Sequence, residues 1–182
     1  MKKSLTFFIL YFSIRLLFAQ NIINTDTIKI GDEYQGGIVF FVDDSGEHGL
    51  IAAPVDQTTE KIMWGQNGET GALSPTDGRS NTEKIVSYYK HKGKGLEKSA
   101  AYLCDDLSLG GYTDWYLPAI NELVQLHKEN LTVGNFLVGD YCSSTEQDNL
   151  NAYSVHFKPN KRVSFLYNKN DEDYFVRCIR KF

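Results

Sequence analysis

Segments of helical spacing lie in the middle of this chain, and segments that alternate like strands lie at both ends. GGIVFFVDDSGEHGLIAAPV, residues 36–55, is two apolar runs around the polar tip Asp43–Gly49, the pattern of a β-hairpin. The tip lacks the alternating ligands of a calcium loop and reads as a solvated turn. Three helical stretches follow. NTEKIVSYYK begins at Asn81 or Thr82 as cap, a second runs from about Leu96 to Leu107, and PAINELVQLHKE starts at Pro118. YCSSTE, NAYSVHF, RVSFLYN and YFVRCIRKF then read as an antiparallel β-meander. Helices between two groups of strands predict one α+β domain in which the terminal strands meet.

Residues 1–20, MKKSLTFFILYFSIRLLFAQ, carry Lys2 and Lys3, then an apolar run ending in Ala19, as a secretory signal peptide does. Ser13 and Arg15 break that run short of the about 20 residues of a membrane span. Residues 21–33 are a short lead-in, and no membrane span is expected in the mature chain. Without Lys2, Lys3 and Arg15, 16 basic residues face 23 acidic ones, a formal charge of −7. That sign opposes non-specific nucleic-acid binding. The 162 residues left after the leader suffice for one domain with its own core. The long polar stretch 65–82 is expected to cross the surface as a loop.

Export changes the reading of Cys104, Cys142 and Cys178, because an odd count in an oxidising compartment implies one bridge and one remaining thiol. A Cys104–Cys178 bridge would tie the second helix to the last strand and contribute roughly 4 kcal/mol. A bridged Cys142 is the outcome that would contradict it. GGYTDWYLP is the expected structural anchor. Gly110 and Gly111 end the second helix, Pro118 opens the third, and the turn between lets Trp115 cover the core with Asp114 beside it.

Catalytic patterns are thin. His48, His91, His127 and His156 have no metal-binding spacing, Ser143 and Ser144 lie in a strand-like segment, and no cofactor, metal or catalytic residue is expected. Lys90, Lys92 and Lys94, next to Tyr88 and Tyr89, form the one local basic cluster, read either as a solvated helix end or as a patch for an anionic glycan. Trp64 and Tyr153 are candidate flat faces for sugar rings, and Trp64, after Ile62 and Met63, also has a reading as core.

GGIVFFVD, GLIAAP, GRSNTEKIV, CDDLSLGGYTDWYLP, YCSSTE, NAYSVHF and VRCIR resemble, in that order, the Lcl C-terminal domain family, over about residues 34–182. The resemblance implies a secreted or cell-surface bacterial domain, periplasmic as a further destination, with a C-type-lectin-like fold. In that fold a disulfide from helix to last strand is typical. It also implies adhesion, with an anionic glycan or another surface protein as partner. Two departures stand out. Cys142 occupies a position where the family commonly has an aromatic, and the signatures of calcium-dependent sugar binding are absent. The expected function is therefore a non-enzymatic binding module. The alternatives are an assembly module without a small ligand, whose oligomeric state would reveal it, and a cysteine-dependent enzyme, for which Cys142 would have to be reactive.

Overall fold

The computed structural model describes residues 27–92, 99–157 and 165–182. Strands β1 (Glu33–Tyr34), β2 (Gly37–Val42) and β3 (Gly49–Ala52) form the N-terminal hairpin sheet. Helices α1 (Gly78–His91), α2 (Ala100–Asp105), α3 (Ile120–Lys128) and α4 (Asn130–Val133) come next. Strands β4 (Gly139–Glu146), β5 (Asn151–Phe157), β6 (Phe165–Asn168), β7 (Tyr174–Phe175) and β8 (Ile179–Lys181) complete the described chain. One sheet has the order β1-β2-β3-β8 and the other β6-β5-β4-β7. The domain is α+β, and its terminal strands do meet, through Leu50↔Lys181, Ile51↔Arg180 and Ala52↔Ile179. The lead-in residues Gly31 and Asp32 already bond the backbone of Val39.

The expected meander is only partly formed. β4, β5 and β6 are antiparallel, but the last segment divides: β7 runs parallel to β4, and β8 crosses to the other sheet. Residues 174–180 are buried without alternation, because they pass between the two sheets and touch core on both sides.

Helix boundaries also shift. α1 begins at Gly78 because the Asp77 carboxylate accepts from the Ser80 N–H. Asn81 and Thr82, expected as caps, are instead buried: Asn81 bonds the backbone of Ser74, and the Thr82 hydroxyl accepts from the Leu117 N–H. α2 is capped by Ser99, and the expected start at Leu96 lies outside the described residues. Gly110 and Gly111 do not end that helix. Both have positive φ, in a tight turn closed by two backbone bonds between Leu109 and Tyr112. A Cβ on Gly36 would lie 2.7 Å from the Gly110 Cα, so the two backbones meet where only glycine fits. Pro118 precedes α3 by two residues, and its carbonyl accepts from the Ser144 N–H at 2.7 Å.

Trp115 is buried, as expected of an anchor, and its indole N–H donates to the Leu109 carbonyl at 3.3 Å. Tyr116 and Ile179 exchange two backbone bonds, joining the tight turn to the last strand. Cys104 and Cys178 form a disulfide with Cα atoms 5.4 Å apart, and Cys142 is free and buried. One apolar cluster packs α1, α2 and the disulfide around Trp64 and Trp115. The other packs α3 through Leu123 and Leu126 against Phe40, Tyr141, Val155 and Phe157.

Candidate binding surface

Four buried or half-buried charge clusters fix the loops on this scaffold. Lys169 and Glu146 are an ion pair at 2.8 Å with side chains 0% and 1% exposed. The Lys169 ammonium also donates to the carbonyls of Gly68 and Asp148 and lies 4.8 Å from the Trp64 ring centroid. Glu146 accepts in addition from the Thr70 N–H and hydroxyl and the Gly71 N–H. Burial by itself would raise the Glu146 carboxyl. Lys169 and Thr70 outweigh it and hold the group below its ordinary value. The stretch 65–82, expected as a surface loop throughout, is so only in part: its first half is pinned to the end of β4, and from Gly78 onward it is α1, started by the Asp77 cap.

Arg177 is a second pin. Its Nε donates to Asp56 at 2.7 Å, Nη1 to Ala53 and Gly134 carbonyls, and Nη2 to the Asn135 carbonyl. Its guanidinium stacks 3.9 Å from the Phe136 ring centroid. Asp56 also accepts from the Leu137 N–H and the Tyr141 hydroxyl. Arg180 forms the third, forking onto both oxygens of Asp114 at 2.7 and 3.1 Å, with Arg79 on the same carboxylate. The Arg180 bond is the main reason that the Asp114 carboxyl is held below its ordinary value. Glu122 is the fourth: one carboxylate accepts from the Gly78 and Ala119 N–H groups at the starts of α1 and α3, and from the Tyr116 hydroxyl. Burial keeps its carboxyl above the ordinary value.

The predicted ligand residues fare differently. Trp64 offers no face to a ligand: it is 1% exposed, and its indole N–H donates to the Ser143 carbonyl at 2.6 Å, so its core reading holds. Lys90 and Lys92 are exposed at the end of α1. Lys90 stands 3.9 Å from Asp105, and Lys92 lies 5.0 Å from the Tyr88 ring centroid. Lys94 lies outside the described residues. Tyr153 is half-buried on β5, its hydroxyl bonded to Gln147. The Gly68 N–H donates to the Asn149 carbonyl, so the loop beside Tyr88 meets the β4–β5 turn that carries Gln147.

A groove of about 670 Å³ lies elsewhere, at the end of α3 and α4. Its apolar rim is Leu131, 93% exposed, Leu137 and Val138, 71% exposed, with Phe136, His127 and Phe157 below. The Phe136-Leu137-Val138 run is held open by Arg177 and by the left-handed residues Gly134 and Asn135. In sequence, the three neighbouring apolar residues between Gly134-Asn135 and Gly139 do not differ from a buried run, so the groove was not legible there. Arg177 and Asp56 gave no signal either, being 121 residues apart.

Reactive groups are few. Among the described residues no group of three or more His, Cys, Asp or Glu side chains is placed to hold a metal. His156 pairs with Asp140 at 2.8 Å, and His91 with the Ser87 carbonyl. Burial pushes the Cys142 thiol up to about 12, which favours the neutral thiol over the thiolate. Iodoacetamide is expected to spare native Cys142 at pH 8 and to label one thiol per chain after unfolding without reductant. Rapid labelling of the native protein would show a reactive cysteine instead.

The described scaffold is α+β, with four charge clusters engaged internally and an apolar groove open to solvent. Residues 54–180 match the Lcl C-terminal domain, and the chain belongs to that family. The N-terminal hairpin precedes the matched span yet shares a sheet with β8. No curated protein matches the chain. Among solved structures, a fimbrial protein from Bacteroides ovatus ATCC 8483 has a similar fold, with a TM-score of 0.52 at 17% identity. The likeness covers 87% of this chain and 45% of that one, so this chain spans less than half of its length. No described helix is long and apolar enough to cross a membrane.

Proposed function

We propose that this chain is an exported, non-catalytic, adhesin-like module that binds a component of a cell surface through the α3–α4 groove. The observation that carries this reading is the groove itself: large hydrophobic side chains stand in solvent on a loop whose backbone is fastened by a buried arginine. Exposed apolar area of that kind marks contact sites, and a preorganised loop loses little entropy on binding. The apolar lining favours a segment of a surface protein as the ligand. Support for an extracellular setting comes from the leader pattern in residues 1–20, from the disulfide, and from the fimbrial protein that shares the fold. The helix-to-last-strand disulfide also supports kinship with C-type-lectin-like folds.

An anionic glycan is the second reading, favoured by the exposure of Lys90 and Lys92 and by Lys92 over Tyr88. Two variants separate them in binding to intact cells. Leu131→Asp with Val138→Asp is expected to weaken binding at least tenfold with little change in stability, since both side chains stand in solvent. Glutamate at Lys90, Lys92 and Lys94 is expected to leave it unchanged. The reverse pattern would move the site to the lysine cluster. Self-association with no binding to cells would favour the assembly role.

A further inference from the structure

A second opening, about 460 Å³, lies between the hairpin sheet and the starts of α1 and α3, away from the groove. Its floor is a cross-strand row. Phe41, Leu50 and Lys181 are register partners on β2, β3 and β8, so their side chains rise side by side. Phe41 is 39% exposed, a large ring left partly bare beside the core. Thr76 and Glu122 form the opposite wall, and His48 comes from the hairpin turn.

The polar groups of this cleft are of both signs and partly engaged. Lys181 stands 3.8 Å from Asp77. Asp43 is occupied by the Ser45 hydroxyl and the Gly46 N–H. Glu122 is itself 7% exposed and accepts three hydrogen bonds, whereas a carboxylate has about four acceptor positions. Its Oε1 takes only the Tyr116 hydroxyl and can accept one more donor. The cleft thus combines an apolar ring face, a buried acceptor with spare capacity, a hydroxyl, an imidazole and an ammonium. Such a set suits an uncharged ligand with one apolar face and many hydroxyls, and the volume lies within the about 300–1,000 Å³ of small-molecule sites.

We propose that this cleft binds one neutral pyranose unit, its C–H face on Phe41 and a ring hydroxyl donating to Glu122, with Thr76, His48 and Lys181 reaching the remaining hydroxyls. The negative face of an aromatic ring attracts the weakly positive C–H groups of a sugar. This inference rests on the binding-module reading and adds a ligand class and a site separate from the groove.

The test is an NMR titration of the exported, isotope-labelled chain with the methyl glycosides of glucose, galactose, mannose and N-acetylglucosamine. At least one is expected to shift the amide signals of Phe41, His48, Leu50 and Lys181. Phe41→Ala is expected to weaken that binding about tenfold, and Lys181→Gln less. The groove variant Leu131→Asp with Val138→Asp is expected to leave it unchanged. No shift at these residues with any of the four at tens of millimolar would overturn the site, as would binding indifferent to Phe41→Ala. A silent cleft with groove-dependent cell binding would remove the pyranose site alone. Glycoside shifts with no groove-dependent cell binding would sustain the site and remove the groove reading.

Discussion

Replacing Lys169 with methionine is expected to lower the stability of the domain by about 3–5 kcal/mol, the cost of removing one partner of a buried ion pair. All three ammonium donors are used, on Glu146, Gly68 and Asp148, and the Trp64 ring lies alongside. Methionine fills much of the space but leaves the Glu146 carboxylate without its cation. Urea unfolding measures the loss, and for a domain of this size the melting temperature is expected to fall about 6–20 °C. Adding Glu146→Gln is expected to restore part of it, because the uncompensated charge is then gone. A loss below 1 kcal/mol would show that the pair is not buried in solution.

The same pair sets a pH dependence whose sign follows from linkage. Glu146 is held below its ordinary value in the folded chain, so its stabilisation is fully present above the unfolded carboxylate value, about 4.3. It is lost as the pH falls through the lower folded value. Stability of the wild type is thus expected to drop on the acid side of about pH 4, and Lys169→Met is expected to flatten that drop. Glu122 acts oppositely. Its raised carboxyl contributes most at low pH, and that contribution is lost as the pH rises through the folded value.

Removal of the disulfide has an effect of similar size. Cys104→Ala with Cys178→Ala opens a closure between residues 74 apart, worth about 4 kcal/mol in the chain-entropy description. Reductant is expected to destabilise the wild type by a similar amount and to leave the double variant unaffected. Equal stability of the two chains under oxidising conditions would contradict a bridge of this kind.

The parts of this fold legible in the sequence were those written locally. The hairpin follows from two apolar runs around Asp43–Gly49, and the inward face of α3 from Leu123 and Leu126 at helical spacing. The helix boundaries were less legible because distant partners decide them. Asn81 reads as a cap until its side chain is found on the Ser74 backbone, and Gly110 reads as a helix end until Gly36 is found against it. YFVRCIRKF looks like one strand because β-favouring apolar residues and basic ones are interspersed along it. Arg177 and Arg180 nonetheless turn inward to carboxylates supplied by Asp56 and Asp114, far away in sequence. Trp64 carried two readings, and burial against Ser143 decided between them. The groove was hidden for the opposite reason: an exposed Leu137-Val138 pair is, in sequence, indistinguishable from core.

The most direct test of the account is the binding of residues 21–182 to intact cells and to an array of neutral and sulfated glycans, with calcium and again with chelator. The groove variant is measured beside the wild type. The account predicts cell binding that survives chelator and is lost with Leu131→Asp and Val138→Asp. Wild-type protein that binds neither cells nor glycans, or a groove variant that binds cells as tightly as the wild type, would contradict it.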